Sequence, residues 1–157
     1  MRTHAFALAA AVAAAASAHA AAHPAHPHAM SEATRRLVMT REFVWFDSDS
    51  FALSPDAMRS LARFARQLRA DQHAVRIEAV GYADATGSDP HNLLLAERRA
   101  TAVLHYLHAR GVSLLRMSAV SYGEGMPMTA NATPEGRASN RRVVIVVLPW
   151  KGGPRVA

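Results

Sequence analysis

The run from Gly81 to Ala100, GYADATGSDPHNLLLAERRA, constrains this chain more than any other stretch. It begins as Val75 to Tyr82 (VRIEAVGY) ends, and the alternation of that segment reads as a strand. Ala85, Thr86 and Gly87 then form a tight turn. Asp89-Pro90 opens a helix that a glycine stops near Arg110-Gly111, with Ala96, Ala100, Val103, Leu104 and Leu107 on its buried side. Asp84 therefore stands at a strand end, and Arg99 fifteen residues later on the next helix. Asn92 precedes Arg99 by seven residues, nearly two turns, and shares its helix face. An acceptor-only carboxylate and a two-pronged donor so placed can meet the two charges of one small zwitterion. The competing use of the pair is an internal salt bridge tying turn to helix.

The remaining segments alternate in type. Arg36 to Phe46 (RLVMTREFVWF), rich in β-branched and aromatic residues, reads as the first strand. Ser54-Pro55-Asp56 combines a capping hydroxyl, a first-turn proline and an early acid, and starts a helix reaching about Ala70. Met58, Leu61, Ala65 and Leu68 make its apolar stripe, and Arg59, Arg63, Arg66 and Arg69 its wet side. Arg116 to Tyr122 reads as a third strand, Thr133-Pro134-Glu135 as the start of a short helix, and Val143 to Leu148 as a last buried strand. The pattern β-α-β-α-β-(α)-β predicts a sheet with helices packed on one face.

A length of 157 residues allows one such domain, placed here at 35–150, with 151–157 as a flexible C-terminal tail. Residues 1–20 read as a signal peptide: an apolar alanine-rich core, Ala5 to Ala16, precedes Ser17-Ala18-His19-Ala20, a small-x-small cleavage pattern. The core is shorter than the ~20 residues of a spanning helix, so no transmembrane segment is expected in the mature chain. Residues 21–34 form a low-complexity linker of His, Pro and Ala without a packing face. Its His23, His26 and His28 suit a polar spacer better than a metal site. The absence of cysteine calls for a core that folds without disulfides. The formal charge is +6, carried almost wholly by arginine, and favours anionic partners; aromatics are few and no nucleic-acid motif is present. His91, His105 and His108 have no serine or cysteine partner at a catalytic spacing, and there is no phosphate loop, so neither an enzyme nor a cofactor is expected.

The motifs resemble those of the OmpA C-terminal-like (OmpA/MotB/Pal-type) family of peptidoglycan-binding domains. Its G-[YH]-[TA]-D-x-x-G, N-x-x-L and R-A elements are matched by Gly81, Tyr82, Ala83, Asp84, Gly87, Asn92, Leu95, Arg99 and Ala100. Phe46 to Asp49 with Leu53-Ser54-Pro55 resembles the opening segment, Tyr122-Gly123-Glu124 with Pro127 a loop, and Gly136-Arg137 with Asn140 to Val143 the closing strand entry. The match spans about Leu37 to Leu148. It implies the family's α+β fold, with a mixed four-stranded sheet, and non-covalent binding of diaminopimelate-type peptidoglycan in the periplasm, on the outer-membrane side of the envelope. By resemblance Asp84 takes the ligand ammonium and Arg99 its carboxylate. Thr86 and Asn92 orient it, Leu95 forms an apolar wall, Arg141 reaches the same pocket, and Asp49 is a weaker candidate. Ala83 departs from the threonine common before the aspartate, and the lack of cysteine is read as excluding the lipid-tethered branch. The alternative is a periplasmic protein–protein adaptor that keeps the fold and docks other envelope proteins through its basic helix face.

Overall fold

A computed structural model of the chain describes Arg36, Val38 and residues 41–70 and 75–150. The strands are β1 (Arg41–Trp45), β2 (Val75–Gly81), β3 (Met117–Ser121) and β4 (Arg142–Pro149), and the helices α1 (Pro55–Ala70), α2 (Asp89–Ala109) and α3 (Pro134–Asn140). The sheet order is β1-β4-β2-β3. β2 and β3 run parallel, while β4 is antiparallel to both β1 and β2. This is the mixed four-stranded α+β arrangement expected from the sequence.

Local chemistry accounts for the elements. The Ser54 hydroxyl accepts a hydrogen bond from the Ala57 amide at 3.1 Å, beside Pro55 at the first position of α1. Thr133 caps α3 in the same way, accepting from the Gly136 amide at 3.1 Å. α2 starts at Asp89-Pro90 and stops where Gly111 adopts φ +87° and donates to the His108 carbonyl. Alternation along β2 and β4 sends Val75, Ile77 and Ala79 and Val143, Ile145 and Val147 to the helix side of the sheet. There they meet Leu61, Phe64, Ala65 and Leu68 of α1 and Ala100, Val103, Leu104 and Leu107 of α2. Gly81 lets β2 and α2 touch: a Cβ there would lie 2.0 Å from the Ala96 carbonyl oxygen.

Two details differ from the sequence reading. The first strand begins at Arg41, and Arg36 and Val38 have helical backbone. Val38 packs partly buried against the core, and periodicity does not distinguish a short apolar run that is a strand from one that is helical. Phe64 joins the stripe of α1, whereas Met58 is only partly buried. The signal peptide, the linker with its histidines, and the C-terminal tail lie outside the described residues. Among the described residues no helix is long and apolar enough to cross a membrane.

Candidate functional site

The chain leaves β1, β2 and β3, and enters β4, at one end of the sheet, so four loops and the first half of α2 converge there. Asp84 lies three residues past β2 and is only 5% exposed. Its Oδ2 accepts from Arg141 Nη1 at 2.9 Å, and its Oδ1 accepts from the Thr86 backbone amide at 3.0 Å. Burial pushes the Asp84 pKa up. The hydrogen bonds from Arg141 and from the Thr86 backbone and side chain, with the Arg141 charge, outweigh burial and hold it below the ordinary value. The turn is completed by Gly87 at φ +106°, a left-handed conformation that glycine adopts without strain.

Arg99 is fully buried on α2. Its three nitrogens donate to backbone carbonyls: Nε to Ser50 at 2.7 Å, Nη1 to Tyr82 at 3.2 Å and Nη2 to Asp47 at 2.9 Å. The guanidinium also lies 5.4 Å from the centroid of the Phe46 ring. It thus fastens the β1–α1 loop to the end of β2. Burial pushes its pKa down to about 10; the charges of Asp84 and Asp49 act in the opposite sense, and Arg141 in the same sense. At neutral pH it stays charged. Nη1 and Nη2 each carry a second N–H beyond the bonds just named.

The structure therefore brings Asp84, Arg99 and Arg141 into one cluster, but the ion pair of Asp84 is with Arg141 rather than Arg99. Arg141 Nε also donates to the Phe46 carbonyl at 3.1 Å, and a hollow of about 400 Å³ opens beside Arg141, Asp47, Ser54 and Ser139. Asn92 is 1% exposed and donates through Nδ2 to the Glu124 carboxylate at 2.6 Å. A carboxylate only accepts, so the amide must face it with its nitrogen, and Asn92 Oδ1 then accepts no hydrogen bond from any described residue. That oxygen lies toward Gly87 of the Asp84 turn. Leu95 is buried one turn before Arg99, while Thr86 is exposed. Asp49, exposed at φ +48°, pairs with His91 Nε2 at 2.8 Å on the rim.

Two residues that bear on the site were missed as members of it. Glu124 sets the orientation of Asn92, and its sequence signal was the loop motif Tyr122-Gly123-Glu124. Asn140 is fully buried. Its Oδ1 accepts from the amides of Met128 and Thr129, and its Nδ2 donates to Thr129 O and Asn131 Oδ1. Asn131 Oδ1 in turn accepts from the Ala85 amide at 3.2 Å. One buried amide thereby connects the β3–α3 loop to the turn that carries Asp84.

The fold and this cluster define a class of small α+β domains with a charged acid–arginine site at one end of a mixed sheet. A family model described as the OmpA family matches residues 45–141, and the chain belongs to that family. The peptidoglycan-binding protein ArfA of Mycobacterium tuberculosis is 45% identical over 102 residues, covering 65% of this chain and 31% of ArfA. The peptidoglycan-associated lipoprotein of Pseudomonas putida is 40% identical over 112 residues, covering 71% of this chain and 64% of the lipoprotein. The chain thus spans less than two-thirds of either relative. The crystal structure of the peptidoglycan-associated lipoprotein from Burkholderia pseudomallei superposes with a TM-score of 0.65 at 31% identity, covering 68% of this chain and 89% of that one.

Proposed function

We propose that this protein binds peptidoglycan non-covalently on the cell-wall side of the periplasm, through the zwitterionic end of a diaminopimelate-type stem peptide. The supporting observation is a buried carboxylate, Asp84, flanked by two guanidinium groups in a chain whose relatives are named as peptidoglycan-binding or peptidoglycan-associated. The binding step is an exchange of partners. The ligand ammonium takes the place of Arg141 at Asp84 Oδ2, and the ligand carboxylate goes to the released guanidinium and to the remaining N–H groups of Arg99. One ion pair becomes two, and the zwitterion leaves the net charge of the cluster unchanged. Asn92 Oδ1 supplies a neutral acceptor for a further ligand N–H, and Leu95 forms part of the apolar wall. Thr86 keeps the carboxylate of Asp84 oriented, and Asp49 contributes at the rim. No bond is made or broken in this reading.

A second reading, an adaptor that docks another envelope protein, has one observation in its favour: Arg59, Arg63, Arg66 and Arg69 are all exposed on α1. Co-sedimentation with purified sacculi separates the two. Wall binding that Asp84→Asn abolishes supports the first reading. Failure of the folded protein to sediment with sacculi favours the second.

A further inference from the structure

Strand alternation turns neighbouring residues to opposite faces. At the site end of the sheet, Phe46 and Arg141 face the helices and the cluster, while Trp45 and Arg142 face the other way. Trp45 is in register with Arg142. The Tyr82 amide donates to the Arg142 carbonyl at 2.9 Å, and the Tyr122 amide to the Gly81 carbonyl at 3.0 Å. Trp45, Arg142, Tyr82 and Tyr122 therefore form one rank across four neighbouring strands or their immediate extensions, roughly 14 Å wide at ordinary strand spacing.

The rank is a row of stacked side chains with an exposed aromatic residue at each end. The rings of Tyr82 and Tyr122 lie 5.6 Å apart and nearly parallel, at 15°, and Phe43 stacks on Trp45 at 5.9 Å. The Arg142 guanidinium lies 3.9 Å from the Tyr82 ring centroid, between the two aromatic ends. Those ends are open: Trp45 is 53% exposed and Tyr122 45%. Arg142 itself is buried, 6% exposed, and joins those ends rather than facing solvent. Its Nε is buried without a partner among the described residues, and its Nη contacts to Asn140 and Met126 carbonyls are long, both 3.4 Å. A hollow of about 320 Å³ on this face is lined by Arg41, Phe43, Tyr82, Met128 and Arg142.

We propose that this rank is a second binding surface, for the glycan strand of the same wall polymer, an inference that rests on the reading of the Asp84 site given above. A pyranose presents a flat C–H face, which suits the negative π-face of an exposed aromatic ring. The rank is continuous with the first site. Arg142 follows Arg141, Tyr82 is two residues from Asp84, and Trp45 precedes Phe46. A polymer whose peptide enters at Asp84 passes round the end of the sheet onto the rank. Single-stranded nucleic acid also stacks on aromatic platforms, and serves as the competing probe.

The test uses the full chain with Trp150→Phe, which leaves Trp45 as the only tryptophan. Trp45 fluorescence is followed during titration with a peptide-free N-acetylglucosamine oligomer, and a sugar-free diaminopimelate stem peptide is titrated in parallel by calorimetry. The expected result is saturable glycan binding that Tyr122→Ala weakens about two- to ten-fold, the range for one lost aromatic contact. Tyr122→Phe keeps the ring and restores the affinity, and stem-peptide binding is unchanged in both variants. The inference is overturned if the stem peptide binds but the glycan does not, if Tyr122→Ala leaves glycan affinity intact, or if a short single-stranded oligonucleotide binds the rank in preference to the glycan. Glycan binding without stem-peptide binding upholds this surface and overturns the reading of the Asp84 site.

Discussion

Asp84 and Arg99 look like equal partners in the sequence, yet the structure gives them different work. Arg99 is a buried clamp on three carbonyls, and lysine offers neither its fork nor its reach. Arg99→Lys is therefore expected to lower stability by roughly 2–5 kcal/mol, as disruption of a buried charged network does, with a clear fall in melting temperature. Asp84→Asn gives up the charge paired with Arg141 but keeps the shape of the side chain and an oxygen for the Thr86 amide, so its cost at neutral pH should be smaller. Comparison of the two melts checks the assignment; equal losses would contradict it. The folded-state pKa of Asp84 is depressed, so its ionised form contributes stability above the unfolded value. That contribution is lost as pH falls through 3.8 toward the lower folded value. Acid unfolding of the full chain should show this step, and Asp84→Asn should lack it. The sequence showed both residues but not the Asp84–Arg141 pair, because Arg141 is 57 positions away and its rotamer depends on tertiary packing.

At the level of elements, the two periodicities carried most of the fold. Alternation marked β2 and β4, and the helical stripes marked α1 and α2. The order β1-β4-β2-β3 could not be read from periodicity, because β4 inserts between strands far from it in the chain, and only the family resemblance implied a mixed sheet. Gly81 is where strand and helix constrain each other. Gly81→Ala would drive a methyl group into the Ala96 carbonyl, a backbone atom that cannot rotate away. The expected cost is about 1–3 kcal/mol or more from overpacking, read as a shifted denaturant midpoint, and a midpoint within error of the parent would contradict the packing described. Asn140 plays the corresponding part for the loops. Asn140→Ala leaves the Met128 and Thr129 amides without their acceptor and should cost on the order of 1–3 kcal/mol in all, since both residues are exposed and water can replace part of the loss. Faster amide exchange in the β3–α3 loop, spreading to Ala85, is the signature to look for.

On the scale of the whole molecule, one core faces one side of the sheet, the charged site sits at its end, and the aromatic rank occupies the opposite face. Deleting residues 21–33, which the sequence marks as a linker, should leave the melt and sacculus binding nearly unchanged, and a large drop in either would contradict that reading. The central claim is that Asp84 holds the ammonium of a wall-peptide zwitterion. Its most direct test is the equilibrium binding of the full chain and of Asp84→Asn to a diaminopimelate-containing muropeptide, with each protein's melt recorded alongside. A charge-assisted hydrogen bond is worth roughly 1.5–3 kcal/mol, so a ten- to hundred-fold loss of affinity is expected in a variant that remains folded. Unchanged affinity in folded Asp84→Asn would contradict it.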